Sequence, residues 1–256
     1  GGISVMFKLV KYELRANFLT IIGSCIVVII ANLLLMAKKS SWGNVVIGLS
    51  GCLIIATIIV IVISSLNIMS KYLHNDAGYL LFTLPQSGKS IITSRLITAL
   101  IQITIIVVVS FSMSYLTLTD KIDFSFLANI KPGLILYSII NYVWGIIYFL
   151  TIIYFCMVIG KIALKGKKLG KIGSFVIFII LSIVISWLST KITTLLPQNL
   201  NLSDFSINTA NVLNFGTTAS ESAFNINIAG AIFDIIVFIG LFMSTSYLID
   251  KKLDLS

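Results

Sequence analysis

The sequence predicts an all-α polytopic membrane protein: six transmembrane helices, an N-terminal amphipathic interfacial helix and a short helix displayed in the loop after the second span. Three observations carry this expectation. Of 256 residues, 58% are hydrophobic and only 11% charged, against roughly 25% charged in soluble domains. Apolar runs long enough to cross a hydrocarbon core of about 30 Å recur along the chain. The basic residues fall mainly between alternate pairs of runs.

Spans are expected at about 17–37, 44–66, 96–117, 133–160, 173–196 and 228–249, within one membrane domain covering 1–256. The fourth is long enough to require tilt or an internal break. Ahead of the first, "VMFKLVKYELRANF" places Phe7, Val10, Leu14 and Phe18 on one stripe, with Lys8, Lys11 and Arg15 on its flank. Over 5–16 this reads as a helix lying along the inner leaflet, its basic side chains reaching headgroups. Gly1–Val5, preceding Met6, are set aside as an appendage outside the fold.

The N-terminus, the second loop, the fourth loop and the tail hold thirteen of the 18 Lys and Arg residues. Lys38, Lys39, Lys121, Lys131 and Lys191 lie on the other side. This bias places both termini and the second and fourth loops in the cytoplasm. It also accounts for the net charge of +9 through contact with an anionic leaflet, so nucleic acid is not an expected partner.

Polar residues inside spans are costly and therefore informative. His74 is the only histidine and lies in the second loop, which removes Ser-His and Cys-His hydrolysis and any zinc site built on two histidines. Cys25, Cys52 and Cys156 sit in apolar runs without partner spacing and read as packing residues. No metal site, bound cofactor or catalytic residue is expected. Among carboxylates, Asp234 falls inside a span, about two turns from its outer end. It reads as reaching water or a lysine such as Lys191, and secondarily as the charge of an ion-coupled carrier. Two ridges of small residues recur every fourth position: Gly48, Cys52 and Ala56 in the second span, and Ser182, Ser186 and Thr190 in the fifth. Such faces permit close helix approach, within one chain or between two, or line a mildly polar route. Gln102 and Asn141 are expected to make interhelical hydrogen bonds. The long outer loop, 197–227, is rich in Asn, Ser and Thr; short or re-entrant helices are expected there.

"TLPQSGKS", Thr83–Ser90, ends like a phosphate-binding loop. The leading glycine of that motif would stand at position 83, which is Thr, and Pro85 removes an amide that could face phosphate. In front of it Tyr79, Leu80, Phe82 and Leu84 crowd a segment too short to span, ended by Pro85 and a turn at Ser87-Gly88. Such a segment must bury itself in headgroups or in a partner protein.

Asp76-Ala77-Gly78 followed by Thr83-Leu84-Pro85-Gln86-Ser87-Gly88-Lys89 resembles the cytoplasmic loop of bacterial ABC transporter permeases of the six-helix exporter type. The layout of amphipathic helix, six spans, cytoplasmic termini and long outer loop is similar over nearly the whole chain. Many members of that family have Glu before the glycine and a basic residue directly after the serine; here Asp76 and Gly88 stand at those places.

The resemblance implies a permease in the bacterial cell membrane without its own nucleotide-binding domain. It would pair with an identical or related permease and be driven by separate cytoplasmic ATPase subunits that bind ATP and Mg. It implies an ATPase-coupling helix carried by Asp76, Gly78, Tyr79, Leu80, Phe82, Leu84, Pro85, Ser87 and Lys89. It also implies that the second and fifth spans, with the two small-residue ridges, face the partner permease. Peptide antibiotics and bacteriocins are the implied class of cargo, exported or expelled. The competing expectation is a membrane sensor or assembly subunit that uses the same loop for another partner.

Overall fold

The computed structural model describes residues 2–43, 45–74, 87–119, 132–163, 169–201, 206–209 and 225–252. Seven helices follow one another in these segments: α1 (Gly2–Ala16), α2 (Phe18–Trp42), α3 (Val45–His74), α4 (Gly88–Leu118), α5 (Pro132–Ala163), α6 (Leu169–Leu195) and α7 (Ile228–Lys252). Between α6 and α7 lie three strands, β1 (Gln198–Asn201), β2 (Ser206–Thr209) and β3 (Asn225–Asn227). Six helical stretches are long and apolar enough to cross a membrane, and the chain is a multi-pass membrane protein. The spans lie where the hydrophobic runs predict them, because in hydrocarbon a backbone must satisfy its own hydrogen bonds and an apolar run of this length does so only as a helix.

Two compact units divide the chain, Gly1–Leu150 and Thr151–Ser256. The division falls inside α5, so no linker separates them.

In the first unit α4 is the central element, packed against α1, α2 and α3. Ile91, Ile92, Leu96, Ala99, Ile103 and Ile106 of α4 are buried, as are Ile61, Ile68 and Met69 of α3. α2 and α3 join through Gly43, whose φ of 51° is a backbone conformation that glycine adopts without steric cost. Helix α1 begins at Gly2, so residues read from sequence as an appendage form its first turn. The helices α1 and α2 are set off only by Asn17, and the hydrogen-bond ladder continues through it: Asn17 N donates to Glu13 O at 2.9 Å and Ile21 N to Asn17 O at 3.0 Å. The Asn17 side chain also donates to Glu13 O, competition with the backbone that favours a break in regularity.

Of the stripe expected to meet the leaflet, Phe7 and Phe18 are 59% and 56% exposed, while the side of α1 packed against protein carries Val10, Glu13 and Asn17. The hydrophobic pattern marks the surface that leaves water. In a membrane protein that surface faces lipid as readily as protein, so the most apolar side chains need not point inward.

In the second unit α6 and α7 pack together, and β1 and β3 pack on α7. The strands form an antiparallel sheet in the order β2-β1-β3, with Leu200 opposite both Ile207 and Ile226. This corrects the expectation of short helices in the described part of this loop. The signal was present: N-L-N, S-I-N and N-I-N alternate with period two, the strand pattern. Residues 202–205 and 210–224 of this loop lie outside the described residues. Asn227 caps α7, its Oδ1 accepting from Gly230 N at 2.8 Å while its Nδ2 donates to Leu196 O at 3.0 Å.

At Gly230 a Cβ atom would lie 3.0 Å from Thr193 Cγ2, marking a close approach of α6 and α7. Gly230→Ala should destabilise by roughly 1–3 kcal/mol through overpacking. Thr193→Ser, which removes the opposing methyl, should restore most of the loss in thermal unfolding of detergent-extracted protein.

Candidate functional site: the polar row of helix α4

Along α4 a polar or small residue recurs every fourth position: Ser90, Ser94, Thr98, Gln102, then Ser110 and Ser114 beyond Ile106. All but Ser90 are buried, as are Arg95 and Thr117 beside the row. Each four-residue step advances the side chain by about 40° around the axis, so the row winds about α4 and meets different neighbours at different heights.

Several hydroxyls in and beside the row bond within their own helix, whereas Ser114 Oγ is buried without a partner among the described residues. Ser94 Oγ donates to Ile91 O, Thr98 Oγ1 to Ser94 O, and Thr117 Oγ1 to Met113 O, each at 2.8 or 2.9 Å. Three bonds reach outward. Near the start of α4, Arg95 Nη1 lies 2.6 Å from Glu13 Oε1 of α1. At mid-height Gln102 Nε2 donates to Ser64 Oγ of α3. Near the end Thr117 Oγ1 donates to Asn32 Oδ1 of α2 at 3.3 Å, and Asn32 Nδ2 donates to Val28 O. Polar contacts thus tie one helix to three others, Thr98 adding a hydrogen bond to Glu13 beside the ion pair. Thr104 adds a weaker contact, its hydroxyl 3.5 Å from that of Tyr142 on α5.

The ion pair is the most demanding of these ties. Arg95 is 6% and Glu13 9% exposed, and removing one member of a buried pair costs about 3–5 kcal/mol because the other charge is left in a low-dielectric site. The apolar share of the α1 attachment is smaller. Val10 is the one buried hydrophobic residue described in α1, worth about 1.5–3 kcal/mol.

Sequence reasoning counted Arg95 among loop charges and did not single out Glu13. The signal was there in two parts. Glu13 is the only acidic residue before Asp76, and Arg95 is one of two arginines in the chain. A rare charge of each sign beside an apolar stripe is the pattern of a buried pair.

The other candidates are distributed as follows. Asp76, Gly78, Tyr79, Leu80, Phe82, Leu84 and Pro85 lie outside the described residues. Ser87 occupies the N-cap position of α4, its O accepting from Ser90 N and Ile91 N. The first turn of α4 therefore starts at Gly88, where a turn was expected to end the preceding segment. Lys89 is exposed in that turn.

Gly48, Cys52 and Ala56 are all exposed on α3, and a Cβ added at Gly48 meets nothing within 4 Å. On α6 Ser186 and Thr190 are exposed and Ser182 is half-buried. Neither ridge is a packed seam of the described residues. Asp234 is half-buried on α7, and Lys191 holds its ammonium 5.9 Å from the Trp187 ring centroid. Gln102 makes the interhelical bond expected of it, whereas Asn141 is exposed. Cys156 is buried, Cys25 half-buried and Cys52 exposed, all as free thiols.

No family model, curated protein or solved structure matches the chain.

Gln102→Leu should cost about 1–2 kcal/mol by stranding the Ser64 hydroxyl, and Ser64→Ala a similar amount. The double variant should cost clearly less than the two single losses added together, a non-additivity readable from thermal unfolding in detergent.

Proposed function

We propose that the chain is the permease subunit of an ATP-driven exporter of the ABC type. It pairs with a second permease and receives its energy from separate cytoplasmic ATPase subunits through the segment Asp76–Lys89. The observation that carries this reading is the continuity of α4. A helix of 31 residues starts at Gly88, within the last two residues of that segment, and is tied by polar contacts to α1, α3 and α2 along its length. A push at its start is delivered to three neighbours at three heights, as a lever requires.

The surroundings of Gly88-Lys89-Ser90 support coupling over nucleotide binding. A phosphate loop links a strand to a helix. Here the element before the segment is the helix α3, ending at His74. Lys89, exposed in the first turn of α4, is placed to meet a partner surface.

The open ridges on α3 and α6 support pairing. Small residues facing outward in a membrane give little lipid contact and much backbone access, the composition of helix–helix interfaces. Antimicrobial peptides and related amphiphiles are the proposed cargo, on the resemblance of the loop alone.

Purified in mild detergent, the chain should bring with it a soluble ATP-hydrolysing subunit and should hydrolyse no ATP without it. Tyr79→Asp or Leu84→Asp should reduce capture by about tenfold or more, the effect of a charge in an interface hot spot, with membrane insertion unchanged. Undiminished capture would overturn the assignment of the loop. For the pairing surface, mild oxidation of membranes should yield a disulfide-linked dimer through Cys52, absent in Cys52→Ser, because close ridges bring Cα atoms within the roughly 4.4–6.8 Å a disulfide needs.

A further inference from the structure

The attachment of α1 to the start of α4 raises a question that packing alone does not answer. An amphipathic helix can be held at a membrane surface by its apolar face with no charged partner. Here Phe7 and Tyr12 turn outward, 59% and 69% exposed. The inward side instead carries Glu13, paired at 2.6 Å with Arg95, seven residues into α4. A carboxylate and a guanidinium are a costly choice for holding two helices together, since their desolvation offsets much of their mutual attraction. What a buried ion pair supplies beyond adhesion is register: it is satisfied in one geometry and strongly penalised in its neighbours.

We propose that Glu13 and Arg95 form a clasp that makes α1 and the first two turns of α4 move as one body, so that displacement of the start of α4 is passed to the N-terminal helix. The inference rests on the coupling reading proposed above. Arg95 sits about 10 Å along the axis from Gly88, at 1.5 Å per residue, close enough to the entry point for motion to reach it before the helix can bend. Beyond Glu13 the ladder runs through Asn17 into α2 without a loop. The clasp therefore closes a circuit from α4 through α1 into α2, whose far part is tied back to α4 by Asn32 and Thr117. Glu13 and Arg95 are positioning residues in this scheme; they touch neither cargo nor nucleotide.

The test uses the full chain purified with its captured ATPase, carrying Tyr12→Cys with Cys25, Cys52 and Cys156 replaced by Ser. The readout is the rate of thiol labelling at position 12, with and without ATP and vanadate. With the clasp intact, nucleotide trapping should change that rate by roughly fivefold or more. Glu13→Gln and Arg95→Gln should each abolish the change while ATPase capture persists, and the exchanged pair Glu13→Arg with Arg95→Glu should restore it. Each single variant should also melt roughly 5–10 °C lower, and the exchanged pair should recover part of that loss.

A single variant that melts lower yet keeps the full labelling change would overturn the inference, since the pair would then be structural only. Should the single variants fail to accumulate, the exchanged pair decides: a captured ATPase without a labelling change would also overturn it. Failure of the unmodified chain to capture any ATPase would overturn the coupling reading itself, a result distinguishable from either of these.

Discussion

A buried polar group inside a membrane must find its partner inside the protein, because lipid supplies none. That constraint organises the first half of this molecule. Arg95, Gln102 and Thr117 lie at three heights on α4, and each is answered from a different helix: by Glu13, Ser64 and Asn32. Apolar packing between helices in lipid carries little net drive, since a leucine facing a leucine and a leucine facing an acyl chain are nearly equivalent. The polar contacts consequently decide which helix lies beside α4 and at what height. Of these the ion pair is the least tolerant, since either charge without the other must be neutralised or left unpaired at a cost.

The same reasoning explains why the spans were legible and the buried faces were not. Spans follow from length and hydrophobicity, and α2, α3, α4, α5, α6 and α7 all contain the runs that predict them. The inward face of a soluble helix is found by asking where its largest apolar side chains cluster. On α1 the large apolar side chains of Phe7 and Phe18 lie outward, on the stripe expected to meet the leaflet, and the inward side carries Glu13. A rule fitted to membranes would have asked where rare polar residues align. On α4 it would have found Ser94, Thr98 and Gln102 in one row, with Arg95 beside them. The strands between α6 and α7 were missed for a different reason. Three to four residues are too few to outweigh a prior for helices, even where Asn and aliphatic residues alternate cleanly.

The motif ending in Gly88-Lys89-Ser90 shows how position alters meaning. Those residue types can cradle a phosphate when they close a loop at the end of a strand. Here they form the opening turn of a long helix, and the element described before it is a helix ending at His74. Glycine and serine are then helix-initiating residues, and the lysine is an exposed cation in the first turn.

The small sheet constrains how the last two helices can move. Only Leu196 and Pro197 separate the end of α6 from β1, and β3 runs directly into α7. Asn227 holds both sides at once, capping α7 and donating to the Leu196 carbonyl just past α6. With Gly230 pressed against Thr193 in the same region, this end of the pair behaves as a welded corner. The contacts that fix α6 to α7 are thus gathered at the sheet, and Leu169 and Lys252 are the helix ends farthest along the chain from them.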